Sequence, residues 1–245
     1  VNRNPDRSTI VVIPAYNESA SLPAVLRGLR SEVPDLDIVV VDDGSVDGTS
    51  AVARDLGVRC LTLPFNLGIG GALRAGYRFA AESGYQRAVQ FDADGQHRAD
   101  QIRLLLSALD DGADLAVGTR FGGIGDYEVG FGRKLAMRSL RLGVRVLCGR
   151  WFSDTSSGFR AVERELLCVF ATEYPVDYMD SVETLVAASR AGYEIAEVPV
   201  SMDERAGGVP SQRRLRLAYH YARLIVALVG SSRRAFPPPR SKSPA

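Results

Sequence analysis

Lysine is almost absent from this 245-residue chain: Lys134 and Lys242 are the only two, so nearly all basic side chains are arginine. Arginine is the better residue for bidentate phosphate contacts, although genome composition explains such a bias equally well. Charge of one sign is missing too. Thirty basic residues stand against 29 acidic ones, a net charge of +1, so no broad positive field marks a nucleic-acid partner. Cysteine is scarce, and Cys60, Cys148 and Cys168 sit in apolar surroundings without metal-ligand spacing. They read as core fillers of a reduced, intracellular protein. No apolar run approaches the ~20 residues a membrane-spanning helix needs. The polar start Val1–Arg7 and the short run Ile10–Ile13 do not make a signal peptide. The expected location is cytoplasmic.

What remains is an ordinary globular composition, 46% hydrophobic and 24% charged, long enough to bury a substantial core. Thr9–Ile13, Asp37–Val41, Val58–Leu63, Arg87–Phe91 and Asp114–Gly118 are short apolar or β-branched runs that predict strands. Amphipathic patterns between them predict helices at Ser21–Leu29, Thr49–Leu56, Gly70–Ala81 and Asp100–Leu109. Strand–helix alternation implies an α/β fold, a mostly parallel sheet with helices on both faces. Phe121–Gly132 is Gly-rich and irregular, as functional flaps often are. A helix Arg133–Leu147, a strand Gly158–Val162, a helix Ser181–Ala191 and a strand Glu194–Val200 are expected after it. The reading divides the chain into a flexible 1–8, a catalytic domain over 9–212, an amphipathic helix over 213–230 and a disordered tail over 231–245.

Ligands of parallel sheets bind outside the carboxyl ends of the strands. Three of the expected strands end in polar signatures there: Pro14-Ala-Tyr16-Asn17-Glu18, Asp42-Asp43-Gly44-Ser45 and Asp92-Ala93-Asp94-Gly-Gln96-His97. Residues two apart on a strand point to one side, so Asp92 and Asp94 can converge. Hard carboxylate oxygens at that spacing suit Mg²⁺ or Mn²⁺ held jointly with substrate phosphates. The same residues also fit an acidic turn or helix cap.

The ordered set of motifs resembles the family 2 glycosyltransferases of GT-A fold, in particular the polyprenyl-phosphate (dolichol-phosphate mannose synthase-like) branch. Its remaining members are Asp47-Gly-Thr49, Asn66-Leu-Gly-Ile-Gly-Gly71, Gly118-Thr-Arg120, Asp154-Thr-Ser-Ser-Gly-Phe-Arg160 and Glu197-Val-Pro-Val200. The resemblance implies a Rossmann-like sheet and an inverting, metal-dependent transfer from a nucleoside-diphosphate sugar to a polyprenyl phosphate. It places the nucleotide sugar against Pro14, Tyr16, Asn17, Glu18, Asp42, Asp43, Gly44, Ser45, Asn66, Gly71, Asp92, Ala93 and Asp94. It puts the metal on Asp92, Asp94 and Gln96, and His97 behind the ligands or at a cap. Asp47 reads better as a turn and helix cap. The Gly68-Ile-Gly70 segment is no dinucleotide fingerprint, since the third glycine would fall on Leu73. An aspartyl-phosphate phosphatase also uses Asp-x-Asp-Gly, but Gln96 follows Gly95 here and the only downstream lysines are Lys134 and Lys242.

A lipid monophosphate, with its second pKa near ~6, is already largely dianionic at neutral pH and needs cations more than a base. By the resemblance Arg120, Arg133 and Arg205 supply them, with catalytic weight shared by Asp94, while Arg160 reads as a salt-bridged structural residue. Two departures concern the acceptor. Met137 stands where many lipid-phosphate members carry Ser, and Arg205-Ala-Gly-Gly-Val-Pro-Ser-Gln212 replaces an Arg-x-x-Gly-x-Ser-Lys pattern. A hydroxyl acceptor in cell-wall or polysaccharide synthesis would need a base, and Glu183 falls where relatives of that kind keep one. The donor base (GDP, UDP or dTDP) is not written in the motifs. Segment 213–229 mixes arginines with an apolar face, which suits peripheral contact with the inner face of the cell membrane or packing in a homo-oligomer.

Overall fold

A computed structural model describes residues 8–119, 144–176, 180–203 and 236–240. Strand β1 (Thr9–Ala15) is buried along its whole length. Helix α1 (Leu22–Glu32) follows, with a proline in its first turn and Leu22, Val25, Leu26 and Leu29 on its buried stripe. Next come β2 (Asp37–Asp42), α2 (Thr49–Asp55), β3 (Arg59–Thr62), α3 (Ile69–Glu82) and β4 (Arg87–Gln90). A 3₁₀ turn, Ala99–Gln101, leads into α4 (Ile102–Asp110), then β5 (Leu115–Thr119) and β6 (Arg160–Glu163). Helices α5 (Arg164–Glu173) and α6 (Asp180–Ala191) precede β7 (Ile195–Pro199).

The strands form one seven-stranded sheet in the order β3-β2-β1-β4-β6-β5-β7. All pairings are parallel except those of β6, which runs antiparallel to both β4 and β5. Alternate residues of each strand feed two cores. Val12, Val41, Ala88, Val117 and Val162 face Leu73, Tyr77, Phe170 and Leu185 on one side. On the other, Val11, Ile13, Val40, Val89 and Ala161 meet Leu26, Leu29, Ile102 and Leu105. Burial on both faces explains why these strands read as continuous apolar runs. Chain order reverses between β1 and β4, so their carboxyl ends border the crevice where such sheets bind ligands.

Helix α5 was not expected from the pattern. Its buried Leu166, Leu167, Val169, Phe170 and Ala171 spread over about 200° of the helix, wider than a narrow stripe, and leave Cys168 and Thr172 exposed on the other side. No glycine or proline separates it from β6; instead Glu163 ends the strand and accepts the Arg164 N–H at 3.2 Å. Part of the expected disordered tail is also placed. Phe236 is buried and lies 5.9 Å from the Phe170 ring, and the Arg240 amide donates to Glu165. An aromatic ring that finds an apolar groove on α5 anchors an otherwise polar segment. All three cysteines are free: Cys60 and Cys148 are half-buried and pack against the two cores, whereas Cys168 is exposed and fills no core. The expected flap at 121–132, most of the helix after it and the helix at 213–230 lie outside the described residues, although 144–148 are helical.

Candidate active site

The loops after β1, β2 and β3 bind one another before they can bind anything else. Asn17 takes a left-handed backbone (φ 55°), donates its N–H to Ser45 Oγ at 2.9 Å and accepts the Val46 N–H on Oδ1 at 3.0 Å. The Glu18 amide donates to Thr49 Oγ1 at 2.9 Å, while its carboxylate accepts the Ser21 hydroxyl at 2.5 Å. Asp47 accepts from the Ser19 amide and from both donors of Thr49. Burial acts to raise its pKa, but those hydrogen bonds outweigh it and hold the group at about 2. The turn-and-cap role expected for Asp47 is the one its contacts describe.

Asp42 and Asp43, assigned to the nucleotide by the resemblance, are both buried. Asp42 Oδ1 accepts the Ser45 N–H at 2.9 Å. Asp43 accepts the Leu67 and Gly68 amides, one on each oxygen, at 2.7 and 2.9 Å. Burial raises the Asp43 pKa against the opposing pull of those two amides. Gly44 (φ +73°) lies under the next loop, and a Cβ there would stand 2.7–2.9 Å from backbone atoms of Phe65 and Asn66. Asn66 is exposed and accepts the Gly68 N–H at 3.1 Å; Gly71 is buried against Leu67. Pro14 is buried within β1 opposite Val41, whereas Tyr16 is 48% exposed at the rim.

The Asp92–His97 turn leaves the end of β4. Asp94 and Ala93 are buried, and Asp94 Oδ1 accepts the Gln96 N–H at 3.0 Å. His97 Nδ1 accepts the Asp92 N–H at 3.0 Å, so its proton sits on Nε2, 3.5 Å from Asp92 Oδ2. Its ring stacks on Phe159 at 4.8 Å and meets Phe91 edge-on. His97 therefore stands behind Asp92 and fixes its backbone. Asp92 Oδ1 is buried and has no hydrogen-bond partner among the described residues. That is the condition expected of a carboxylate that takes a cation. Among the described residues no three His, Cys, Asp or Glu side chains cluster as a self-sufficient metal cage. Mg²⁺ and Mn²⁺ shared with phosphates need only one or two carboxylates, so the donor set fits them.

The chain after β7 returns to this turn: the Asp203 amide donates to the Gln96 carbonyl at 2.9 Å, and Met202 bridges to His97. Asp203 thus lies beside the turn that carries the carboxylates. Thr119, immediately before Arg120, is buried at the end of β5 and accepts the Val200 N–H. Arg120, Arg133 and Arg205 themselves lie outside the described residues. Glu183 sits half-buried in the first turn of α6. Arg160 corrects its expected salt bridge. It is 1% exposed and, among the described residues, donates to the Ser157 and Ser181 carbonyls instead. Glu197 folds the neighbouring loop by accepting from the Ser153 amide and hydroxyl at 2.7 Å. A crevice of about 700 Å³ lined by Arg30, Arg54 and Arg59 opens at the opposite, amino ends of the strands and carries none of these residues.

This constellation coincides with a known family. The model of "Glycosyl transferase family 2" matches residues 10–170. The chain belongs to that family. It is 34% identical over 214 residues to a polyprenol monophosphomannose synthase of Mycolicibacterium smegmatis, covering 84% of this chain and 81% of the relative. It is 35% identical over 209 residues to an undecaprenyl-phosphate mannosyltransferase of Micrococcus luteus, covering 81% and 85%. Among solved structures, glucosyl-3-phosphoglycerate synthase of Mycobacterium tuberculosis, in complex with Mn²⁺, UDP and glucosyl-3-phosphoglycerate, superposes with a TM-score of 0.70. Its identity is 25%, over 92% of this chain and 80% of that one. The protein is a glycosyltransferase with the mostly parallel, Rossmann-like GT-A architecture that its motifs imply. Among the described residues no helix is long and apolar enough to cross a membrane.

Proposed function

We propose that this glycosyltransferase moves a sugar, with inversion, from a nucleoside-diphosphate sugar to a polyprenyl phosphate, and that the transfer is metal-dependent. The observation that carries the metal part is the buried, unpartnered Oδ1 of Asp92 beside Asp94 at the switch point of the sheet. The relatives named for polyprenyl and undecaprenyl phosphate support the acceptor class.

In this reading the nucleotide lies across the rim formed by Tyr16–Glu18, Asp42–Ser45 and Asn66–Gly71, where the unused acceptor positions of Asp42 and Asp43 meet ribose hydroxyls and ring N–H groups. Asp92, Asp94 and Gln96 would hold Mg²⁺ or Mn²⁺, which as a Lewis acid would offset the charge developing on the departing diphosphate. An oxygen of the acceptor phosphate attacks the anomeric carbon from the face opposite the diphosphate. The bond from that carbon to the β-phosphate oxygen breaks, and its electron pair leaves with the nucleoside diphosphate. A dianionic phosphate needs no base, so Arg120, Arg133 and Arg205 act by holding it. Such an acceptor brings the protein to the inner face of the membrane as a peripheral enzyme, with the 213–229 segment as the contact.

The test has two arms. Thermal shifts with GDP, UDP and dTDP, each with Mg²⁺ or Mn²⁺, identify the donor base, because a ligand of the native state raises its melting temperature. Labelled nucleotide sugars carrying that base are then incubated with undecaprenyl phosphate. Label should pass into the organic phase, EDTA should stop it, and Asp92→Asn or Asp94→Asn should abolish it. Transfer undiminished by EDTA or by either substitution would overturn the metal reading. Transfer to a hydroxyl acceptor but never to the lipid phosphate would overturn the acceptor.

A further inference from the structure

The unpartnered oxygen of Asp92 has company. Gln90 lies directly opposite Arg160 in the β4–β6 ladder, and continuing that register sets Asp92 opposite Gly158 on the same face of the sheet. Gln90 and Arg160 are each 1% exposed. Gln90 Oε1 accepts the Tyr77 hydroxyl at 3.3 Å, and Arg160 donates Nε to Ser157 O at 2.8 Å and Nη2 to Ser181 O at 2.7 Å. Gln90 Nε2, Asp92 Oδ1 and Arg160 Nη1 remain, all buried and without a hydrogen-bond partner among the described residues. Native proteins leave few such atoms, and three in one cross-strand quartet mark a place built for more than packing. Gly158 is what lets them meet. A Cβ there would lie 3.0 Å from Asp92 Oδ2, 3.3 Å from Asp92 Oδ1 and 3.0 Å from Gln90 Nε2. Any side chain would wedge the carboxamide and the carboxylate apart.

We propose that Gln90 and Gly158 are positioning residues for Asp92. Tyr77 anchors the oxygen end of the Gln90 carboxamide, which turns its N–H₂ toward the Asp92 carboxylate across the space the glycine leaves open. No hydrogen bond joins the two groups among the described residues; one formed as the divalent cation draws on the other oxygen selects which carboxylate oxygen faces it. His97 holds the same residue from the backbone side, through the Asp92 amide. Arg160 holds the third side of the frame: its two carbonyl bonds tie Ser157, next to Gly158, to Ser181 at the start of α6. A ligand whose rotamer is fixed beforehand gives up no freedom on binding metal. Losing such an outer contact typically weakens metal affinity about 10–100-fold. Gln90 Oε1 is taken up by the Tyr77 hydroxyl, its Nε2 is a donor, and Gly158 has no side chain, so neither side chain is counted among the ligands. The inference rests on Asp92 being a metal ligand.

The experiment titrates Mn²⁺ into the full chain with GDP or UDP present, whichever gives the larger thermal shift, and reads free Mn²⁺ by electron paramagnetic resonance. Gln90→Met and Gly158→Ala are each expected to raise the Mn²⁺ dissociation constant about 10-fold or more. Tyr77→Phe, which frees the carboxamide while keeping the ring, should move it in the same direction. The metal-free melting temperature reports folding separately, and three independent substitutions ensure that one poorly folded variant does not decide the outcome. Folded variants that bind Mn²⁺ as tightly as the wild type would overturn the positioning role alone. A wild-type protein that takes up no Mn²⁺, or an Asp92→Asn variant that takes it up equally well, would overturn the metal reading and this inference with it.

Discussion

The carboxylate of Asp43 accepts the backbone N–H of Leu67 at 2.7 Å, and its second oxygen takes the next amide, Gly68, at 2.9 Å. The end of β2 is thereby fastened to the loop that opens α3, which joins two of the three rim segments proposed to bind the nucleotide. Asp43→Asn offers one oxygen in place of two and sets an amide N–H₂ against a backbone donor. A buried donor left unpaired costs about 1–3 kcal/mol, or a melting temperature lower by a few degrees or more in a chain of this size. Nucleotide binding should weaken along with it, because the loop and not only the carboxylate is lost. Melting curves with and without nucleotide separate the two effects. A variant with unchanged stability but weakened binding would assign Asp43 to the ligand alone.

Gly44 makes the same junction from below. Its φ of +73° is costly for any residue with a Cβ, and that atom would sit within 2.9 Å of the Phe65 and Asn66 backbone, which has no flexible end to give way. Gly44→Ala should therefore destabilise the protein by about 1–3 kcal/mol. It should also raise the concentration of nucleotide needed for half-maximal thermal shift. An alanine variant that melts with the wild type would mean that the 65–66 loop is loose enough to retreat.

Much of this architecture is legible before any coordinates. Strands β1 and β2 carry apolar residues on both faces and end at Pro14-Ala-Tyr16 and Asp42-Asp43, and β4 stops two residues before Asp92, so periodicity and turn chemistry agree closely on their limits. Helix α5 is not legible, because its apolar face is broad, its apolar residues run nearly continuously in sequence, and Glu163 serves as both strand end and helix cap. The antiparallel course of β6 escapes for a related reason: local sequence states that a strand exists, not which neighbour it joins. Within the site, the carboxylates announce themselves by spacing. Gln90 and Gly158 do not, since a buried glutamine in an apolar strand and a glycine before a phenylalanine acquire meaning only when β4 and β6 are laid side by side. His97 is intermediate, visible as a residue near the motif but not as the acceptor of the Asp92 amide.

Asp47 gives the rim a measurable pH signature. Its carboxyl is held at about 2, below its ordinary value of 3.8, because hydrogen bonds from Thr49 and Ser19 outweigh the effect of burial. A group depressed on folding stabilises the native state above its unfolded pKa, and that contribution disappears as pH falls through the folded one. The window therefore runs from about pH 4 down to about pH 2. Asp47→Asn has no such titration, so the gap in melting temperature between wild type and variant should be constant near neutrality. It should then narrow steadily below pH 4. A gap that stays constant down to pH 2.5 would show that the Ser19 and Thr49 bonds do not distinguish the ionised carboxylate.

The acceptor leaves its own mark on Glu183. A hydroxyl nucleophile must lose a proton as it attacks, and a base removed from such a reaction typically costs 10²–10⁴-fold in rate. A lipid phosphate arrives already deprotonated and asks nothing of that side chain. Glu183 stands in the first turn of α6, whose start is tied through the Ser181 carbonyl and Arg160 to the Ser157 carbonyl next to Gly158. With undecaprenyl phosphate as acceptor, Glu183→Gln should keep its turnover within a few-fold of wild type, and the ratio should not vary between pH 6.5 and 8.5. A loss of a hundredfold or more would move the acceptor from a phosphate to a hydroxyl while leaving the donor half of the site as described.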